Sequence, residues 1–533
     1  MDFNKELENL VKANISAIYI QSFEWQRFQV KIRKVAENQN KRLFYFNIID
    51  NLKELDLKEK EFSSIDDKDT IADIFENIEE NAIYIFEEKH EDFTMGDKGD
   101  ILRYKFALRE FKKKKSTLIM FSSVLEIPKE LEKELMILDM PLPTLNDFEK
   151  LFNKLAKEFN ISASIDIGIL KSLLGLTIEE ATNAISKAIA QKGKLTTNEI
   201  GILISQKEQI IKKSGHLEYF HPKDSMDSIG GLDNLKDWLK IRYKAFSQNA
   251  KKYKLKSPKG IMLLGIPGTG KSLSAKAVSS SWKMPLLRLD FGKIFGGIVG
   301  ESESNIRETI KIAESLSPCV LWIDEIEKGL SGLKGGGDSG TSARVFGTFL
   351  TWMQEKTSEV FVLATANDIS ALPKELLRKG RFDEIFFVDL PTNEERKQII
   401  KIHLNNVEQE EKNLNIEKLA EISKGFSGAE LEEVVNEALF NIFSIDSKDK
   451  PILKTKDLID VIGGFYPLSR TLKIEDLEKM REVAKARYKP ASKYSPEKLE
   501  SSDKTPKFKQ EQYDDTFEED DSVEQNDITD EDK

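Results

Sequence analysis

A loop with the spacing of a phosphate-binding motif lies in the second half of the chain. The segment GIPGTGKS, residues 265–272, follows the apolar run IMLL and precedes SLSAKAV, which predicts a strand, a tight loop and a helix in that order. Its glycines let backbone N–H groups turn toward phosphate oxygens, and Lys271 supplies a positive charge at the start of the helix. The Ser272 hydroxyl is suited to Mg²⁺. The predicted nucleotide-binding residues of this loop are Gly265, Pro267, Gly268, Thr269, Gly270, Lys271, Ser272 and Leu273.

Two further apolar strands end in polar side chains that suit phosphate chemistry. CVLWIDEIE places Asp324 and Glu325 after one strand, and ATAND places Asn367 after another. Phosphoryl transfer to water needs a carboxylate near the metal and a group that positions the attacking water. Asp324 is therefore predicted to hold Mg²⁺ partly through water, Glu325 to activate the attacking water and Asn367 to orient it. Although a carboxylate pair at a strand end is ordinarily a solvated terminus, its pairing with the phosphate loop predicts hydrolysis of ATP.

Two arginines complete the set of candidate catalytic residues. LLRKGRFDE places Arg378 and Arg381 three positions apart, ahead of another apolar strand. In this order the four motifs resemble the AAA subgroup of the AAA+ ATPases. The resemblance implies that both arginines reach into a neighbouring subunit's site, where guanidinium groups stabilise charge on the transferred phosphoryl group. It also implies a homo-oligomeric ring, commonly a hexamer, and a nucleotide base held by Ile229, Gly230, Gly428 and Ala429.

A narrower resemblance concerns the segments GIVGESESN, SPCVLWIDEI, DSGTSARVFGTFLTWM and LLRKGRFDEIFF. They look closest to a plastid and cyanobacterial family first catalogued as a hypothetical chloroplast open reading frame. The likeness is weaker over the first 215 residues, where ELEKELMILDMPLP carries it. This resemblance narrows the substrate very little. A cytoplasmic location is expected, or the plastid stroma if the chain is plastid-encoded, because the amino terminus MDFNKELENLVKAN does not read as a secretory signal and no apolar run is long enough to span a bilayer.

The motifs require a sheet that brings their loops to one edge. Apolar runs at 261–265, 286–289, 319–323, 360–364 and 385–389 predict a parallel five-stranded sheet with flanking helices. The predicted architecture is thus α/β, the P-loop NTPase fold of an AAA+ large domain followed by a helical lid. The expected boundaries are 226–391 for the large nucleotide-binding domain, 392–467 for the lid and 468–484 for a helical extension.

The first half of the chain repeats the same order of elements. Apolar runs alternate with helix-like stretches over residues 1–145, which predicts a second α/β domain; a helical subdomain at 146–215 and a linker at 216–225 follow. The repetition suggests a degenerate ATPase-like domain, although alternating strands and helices are a common plan. Because this half has no GxxxxGK loop, Glu87 and Glu88 are interpreted as solvated carboxylates at a strand end. No hydrolysis is expected there.

Charge and composition exclude several functions. Residues 511–533 hold twelve acids and one lysine, which accounts for the whole net charge of −11, so the other residues are formally neutral and give no support to a nucleic-acid-binding groove. Residues 485–533 are predicted to be a disordered tail, acidic at its end. No apolar run is long enough to span a bilayer, and no HExxH pair indicates a fused zinc protease. Cys319, in an apolar run, is interpreted as a small buried side chain.

The loop before GESE separates two hypotheses about the biological role. Relatives that thread polypeptide usually carry an aromatic residue there, whereas this chain has Ile298, Val299 and Gly300, with Phe295 close by. The leading hypothesis is a chaperone-like ATPase that remodels an unknown protein substrate without cleaving it. The alternative is an ATP-gated assembly or regulatory module whose amino-terminal half binds a partner. A nucleic-acid motor has no sequence feature behind it.

Overall fold

Two sheets, each packed by apolar side chains on both faces, form the framework of the described chain. The computed structural model describes residues from Phe3 to Lys498, except 50, 58–61, 66–69, 95, 97, 161–166, 193–202, 204, 206, 210, 213–214, 222, 296–300, 331–338, 446–451 and 472–473. Within these ranges, no helix combines the length and the apolar character that crossing a membrane needs.

In the first half, the described strands form one sheet in the order β4-β3-β2-β5-β6-β1-β7. Neighbours from β2 to β7 in this order pair in parallel, whereas β3 and β4 are antiparallel. A helical segment follows the sheet. The strands are β1 (Ala17–Gln21), β2 (Arg42–Asn47), β3 (Asn51–Leu55), β4 (Phe62–Ser64), β5 (Ala82–Glu87), β6 (Thr117–Ser122) and β7 (Met136–Ile137). The helices are α1 (Phe3–Lys12), α2 (Trp25–Asn38), α3 (Ile71–Glu76), α4 (Glu91–Thr94), α5 (Lys98–Lys113), α6 (Leu145–Glu158), α7 (Ile167–Leu173) and α8 (Ile178–Lys192).

In the second half, the described strands form a sheet in the order β14-β13-β9-β12-β11-β10-β8. All pair in parallel except β8, which runs antiparallel to β10. Helices α9 (Asp233–Tyr243), α10 (Gln248–Lys252), α11 (Lys271–Trp282), α12 (Phe291–Phe295), α13 (Glu301–Ser315), α14 (Ile326–Leu330) and α15 (Ser339–Glu355) accompany it. The strands are β8 (Leu217–Phe220), β9 (Gly260–Gly265), β10 (Leu286–Leu289), β11 (Cys319–Ile323), β12 (Val360–Ala366), β13 (Glu384–Val388) and β14 (Lys489–Pro490).

The five predicted strands of this sheet are confirmed as β9 to β13. Strands β9, β11 and β12 are buried along their whole length, because helices cover both faces of a parallel sheet. Cys319, at the start of β11, is buried as predicted.

A helical lid follows the second sheet. Thr392 and Glu395 form a capping box that starts its first helix. The lid core is apolar, with Leu404, Leu431 and Leu458 among its buried side chains. The lid helices are α16 (Asn393–Asn406), α17 (Ile416–Ile422), α18 (Gly428–Ile445) and α19 (Thr455–Gly464), and α20 (Leu468–Thr471) and α21 (Ile474–Arg487) come after them.

Two predicted boundaries differ from the structure. The linker expected at 216–225 contains β8, which extends the sheet beside β10. The disordered tail expected from residue 485 is ordered as far as Lys498, because residues 489 and 490 form β14 on the free edge of β13. The sequence there alternates Pro, Lys and Ser and lacks an apolar pattern. Backbone hydrogen bonds hold this segment in place. Because such bonds do not depend on the type of side chain, they produce no apolar pattern in the sequence.

Residues 488–498, here called the C-terminal strap, run from the sheet edge to the start of the lid. The N–H of Ala491, whose side chain is fully buried, donates to a carbonyl of β13 at 2.9 Å. Farther along, Glu497 Oε1 accepts the N–H of Asn393 at 2.5 Å, and Glu497 Oε2 lies 3.1 Å from Nη1 of Arg396. The Arg396 side chain is 1% exposed. The strap therefore joins the sheet to the lid through a partly buried ion pair.

Glu497→Ala is expected to lower the melting temperature of the full chain by several degrees. The substitution leaves the buried Arg396 guanidinium with carbonyl partners but without its carboxylate, which costs about 2 kcal/mol. Differential scanning calorimetry measures the shift, with Lys498→Ala, at an exposed neighbouring position, as the control. Equal melting temperatures for both variants would contradict a stabilising role for the strap.

Candidate active site

The predicted phosphate loop joins β9 to α11, and its shape depends on glycine. Gly268 and Gly270 have φ values of 75° and 89°, in the left-handed region that favours glycine. A Cβ added at Gly268 would lie 2.8 Å from Oγ of Ser427, in the lid. The Thr269 hydroxyl closes the loop by donating to the carbonyl of Ile266 at 2.7 Å. The loop thus leaves the amino terminus of α11 open toward the cavity described below.

The Lys271 ammonium lies inside this loop. It donates to the carbonyls of Gly265 at 2.9 Å and Ile266 at 2.6 Å. Burial lowers the pKa of Lys271 to about 8, although nearby carboxylates, Glu327 foremost, favour the charged form. The ammonium is therefore sensitive to any anion that enters the loop.

A set of hard oxygen ligands stands beside the loop. Asp324, directly after β11, accepts at Oδ1 from the Ser272 hydroxyl at 2.8 Å and from the Thr365 hydroxyl at 2.7 Å. Carboxylate and hydroxyl oxygens at one point, next to a loop for phosphates, suit Mg²⁺, which prefers oxygen ligands and keeps several waters. Ser272 and Asp324 are thus placed together, as the prediction of a metal site requires.

The second carboxylate, Glu325, is held by backbone and side chain. Its φ is 48°, and its N–H donates to the Thr365 hydroxyl at 2.9 Å. Its Oε1 accepts from Nδ2 of Asn367 at 2.9 Å, and its Oε2 forms an ion pair with Lys328. The Asn367 N–H in turn donates to Oε1 of Glu327 at 2.9 Å. The carboxylate and the amide therefore lie within hydrogen-bonding distance of each other at the ends of neighbouring strands.

A cavity of about 320 Å³ lies between the large domain and the lid. Its size falls in the range of small-molecule sites. On the lid side, the N–H of Ala429 donates to the carbonyl of Gly268 at 3.0 Å. Most predicted site residues line it, namely Ile229, Gly230, Pro267, Gly268, Thr269, Gly270, Lys271, Ser272, Leu273, Asp324, Glu325, Asn367, Gly428 and Ala429.

The lid helix α16 contributes lining residues that the sequence did not single out. Ile399 and His403 lie one helical turn apart and face the cavity. A Cβ at Gly230 would lie 2.4 Å from Cγ1 of Ile399, so glycine permits this close approach. Burial lowers the pKa of His403, which favours an uncharged ring, although Glu432 opposes the shift. The other missed residues that line the cavity or bond its groups are Ser228, Glu327, Lys328, Thr365, Ile402 and Glu432.

The predicted arginines do not line this cavity, and neither does Gly265, whose carbonyl binds Lys271. Arg378 is exposed. Arg381 donates through Nη1 to the carbonyl of Glu375, and within the described residues its buried Nε has no hydrogen-bond partner. The predicted pore loop, Ile298 to Gly300, lies outside the described residues. The geometry thus brings together the loop residues and the residues predicted to hold Mg²⁺ and to position water, and it leaves the arginines apart from them.

ATP affinity is expected to fall as pH rises above about 8, the pKa of Lys271. Bound phosphates favour the charged ammonium, so above this pH binding must take up a proton, and the dissociation constant rises by up to about tenfold per pH unit. Fluorescence titration with an ATP analogue over a pH series measures this dependence. Lys271→Arg is the matched control, because arginine stays charged over the whole pH series. Whatever ATP affinity this variant retains should therefore not fall above pH 8 for this reason. Constant wild-type affinity on both sides of pH 8 would contradict the expectation.

Comparison with known proteins places four segments of the chain. Residues 261–390 match the ATPase family associated with various cellular activities (AAA), and residues 413–449 match the AAA+ lid domain. Residues 3–140 match the SpoVK-like AAA ATPase, N-terminal domain, and residues 150–214 match the second domain of the same group. The matched segments cover both halves.

Individual relatives extend over most of the chain. The AAA domain-containing protein ycf46 of Trieres chinensis is 40% identical over 486 residues, 89% of this chain and 96% of that protein. The ycf46 protein of Pyropia yezoensis is 40% identical over 495 residues, 91% and 99% of the two chains. The ATP-dependent zinc metalloprotease FtsH of Karelsulcia muelleri is 35% identical over 275 residues, 49% of this chain and 43% of that protein.

Proposed function

Since the chain belongs to the AAA ATPase family, within the group of the ycf46 proteins, we propose that it hydrolyses ATP as an oligomer of its own copies and uses the energy to remodel another protein. The observation that supports hydrolysis best is the hydrogen-bonded arrangement of Asp324, Glu325 and Asn367 beside the phosphate loop. Each of these groups ends a strand of the same sheet, and each faces the same cavity.

In the proposed reaction, the phosphates lie along the loop and Lys271 neutralises part of their charge. Ser272 and Asp324 would hold Mg²⁺, partly through water, and the ion would supply further positive charge at the phosphate oxygens. Glu325 takes a proton from the attacking water while Asn367 orients that water. The water oxygen bonds to the γ-phosphorus, the bond to the bridging oxygen breaks, and ADP and phosphate leave.

The proposal assigns Arg378 and Arg381 to a neighbouring copy's site. Both lie away from the cavity of their own chain, and Arg378 is exposed, which suits a group that completes a site across an interface. An arginine that stabilises the transferred phosphoryl group is a frequent part of such sites. We propose that this head-to-tail contact closes into a ring, since such contacts form rings when the rotation between copies permits closure. A hexamer is the expected size from the family resemblance.

The first test measures steady-state hydrolysis of ATP by the purified full chain with Mg²⁺, together with the solution mass with and without ATP. Hydrolysis together with ATP-dependent assembly supports the proposal. An inactive monomer under every nucleotide condition would overturn it, because the arginines would have no neighbouring site to complete.

The remodelling role is proposed without protease activity, because the sequence has no HExxH pair. The proposed partner is a protein, with no nucleic acid and no membrane, in the cytoplasm or in the plastid stroma if the chain is plastid-encoded. The alternative, an ATP-gated assembly module, is favoured by the aliphatic residues Ile298 and Val299. Replacing both by serine separates the two: loss of remodelling with unchanged basal hydrolysis supports polypeptide threading, and full activity supports the assembly module.

A further inference from the structure

The sheet of the first half has the same strand order as the sheet that carries the candidate active site. Without the edge strand β14, the parallel strands in chain order are β1, β2, β5, β6 and β7 in the first half and β9 to β13 in the second. If these five strands are numbered 1 to 5 in each half, both sheets have the spatial order 5-1-4-3-2. In both sheets an antiparallel strand pairs with strand 2 on its other side. The turn from β1 to α2 therefore occupies the place of the phosphate loop between β9 and α11.

That turn lacks what phosphate binding needs. It has three residues, 22–24, where the phosphate loop has five, 266–270, and it contains no glycine. Helix α2 starts with Trp25, where α11 starts with Lys271. The last residue of the turn is Glu24, which is 5% exposed, so a buried carboxylate stands at the helix start where a phosphate would need positive charge.

The Glu24 carboxylate binds the helical segment that follows the first sheet. Its Oε1 accepts the N–H of Ile178, the first residue of α8, at 2.6 Å. On its other side, Oε2 lies 3.7 Å from Nη1 of Arg27, whose side chain is 12% exposed. Glu24 therefore connects α2 to α8 through a buried, charge-assisted hydrogen bond.

Helix α8 begins in the same way as the lid helix α18. The Thr177 N–H donates to Oε2 of Glu180 at 2.9 Å, and the Glu180 N–H donates back to Oγ1 of Thr177 at 3.1 Å. Ser427 and Glu430 form the same reciprocal pair at the start of α18. In the second half this helix start contacts the phosphate loop, whereas in the first half it contacts Glu24. The two helix starts thus occupy corresponding places.

The carboxylate directly after β5, that of Glu88, is hydrogen-bonded within the protein. Glu88 has a φ of 51°, close to the 48° of Glu325, and follows the strand that corresponds to β11. Its oxygens accept from the N–H of Ser123 at 2.8 Å, from the Ser123 hydroxyl at 3.0 Å and from the Ser122 hydroxyl at 3.2 Å. Glu88 is exposed, as expected for a solvated strand end. Both of its carboxylate oxygens also accept hydrogen bonds from serines, so they are already engaged within the protein.

From these contacts we propose that the first half is an ATPase fold held closed without nucleotide, in which Glu24 takes the place of the phosphates and fastens α8 to the sheet. In this closed arrangement, the first half offers a fixed contact surface to the second half, which carries the candidate active site. A Cβ at Gly175, in the turn before α8, would lie 2.3 Å from the carbonyl of Ser315, at the end of α13. The fastened segment thus rests directly against the domain that carries the candidate active site.

Hydrogen exchange of the full chain, resolved by peptide, tests this proposal. In wild type, the amides of α8 should exchange at the same rate with and without ATP, whereas those of α18 should gain protection on ATP binding. Glu24→Ala should raise the exchange rate of the first turn of α8 about tenfold, and Glu24→Gln, which keeps an acceptor, should raise it less. Glu37→Gln, at an exposed position of α2, is the matched control.

Binding stoichiometry gives an independent readout. Wild type should bind one ATP per chain, and Lys271→Ala should bind none, because the first half offers no second site. A second bound nucleotide, or ATP-dependent protection of α8, would overturn the proposal, as would unchanged exchange of α8 in Glu24→Ala. If the amides of β1 and β6 in Glu24→Ala also lose protection from hydrogen exchange, that variant is unfolded. The comparison of wild type with and without ATP then decides whether the proposal stands. These readouts do not depend on hydrolysis, so they separate this proposal from the proposed function.

Discussion

Glu325→Gln is expected to lower kcat for ATP hydrolysis at least about a hundredfold while the dissociation constant of ATP stays within about threefold of wild type. Glutamine keeps the size of the side chain and an oxygen that can accept from Asn367, as Oε1 of Glu325 does at 2.9 Å. It cannot take a proton from water. The loss should therefore appear in the chemical step and spare binding.

Single-turnover hydrolysis and equilibrium binding of a fluorescent ATP analogue measure the two quantities separately. Glu37→Gln, exposed on α2 in the other half, removes the same charge and should leave both unchanged. Activity of Glu325→Gln above about a tenth of wild type would assign the base elsewhere. Glu327 would then be the first candidate, because its Oε1 binds the Asn367 N–H and its Oε2 is buried with no hydrogen-bond partner within the described ranges.

Arg378→Ala and Lys271→Ala are each expected to abolish hydrolysis alone and to restore part of it when mixed. In the proposed ring, Arg378→Ala chains keep a complete phosphate loop, and Lys271→Ala chains keep the arginine that a neighbour's site requires. With random assembly at equal amounts, roughly a quarter of the sites combine both intact parts, so the mixture should regain about a quarter of wild-type activity. The restored activity would come only from sites shared between two different chains.

The controls for this experiment distinguish a site shared between two chains from a general loss of folding or of ATP binding in one variant. Arg378→Ala alone should bind ATP normally, whereas Lys271→Ala should not. Lys379→Ala, the exposed neighbour of Arg378, should stay close to wild-type activity. A mixture no more active than its separate components, at concentrations where both assemble, would show that Arg378 does not act across an interface.

The strands that position the site were predictable because each is buried over its length. Strands such as β11 and β12 are covered on both faces, so they appear in the sequence as continuous apolar runs. The edge strands β7 and β14 have two residues each, and all four of these residues are exposed. Backbone pairing holds these two strands in place, so their side chains do not predict them.

The same distinction applies to the candidate site. The phosphate loop is contiguous in the chain, so its spacing alone predicts its shape. The hydrogen bonds of Asn367 to Glu325 and Glu327 join residues about forty positions apart, and only the pairing of β11 with β12 brings these residues together. The contribution of Ile399 and His403 depends on how the lid folds over the loop, which no local pattern in the sequence records.

The C-terminal strap has a mechanical consequence for any movement of the lid. Arg481 holds both carboxylate oxygens of Asp389, at the end of the sheet, and also donates to the backbone carbonyl of Glu497, whose side chain grips the lid. Rotation of the lid must therefore break these bonds or drag the strap along. The start of the lid is thus bonded to a residue about a hundred positions away in the chain. Replacing Glu497 would therefore remove an attachment of the lid without altering any residue that lines the cavity.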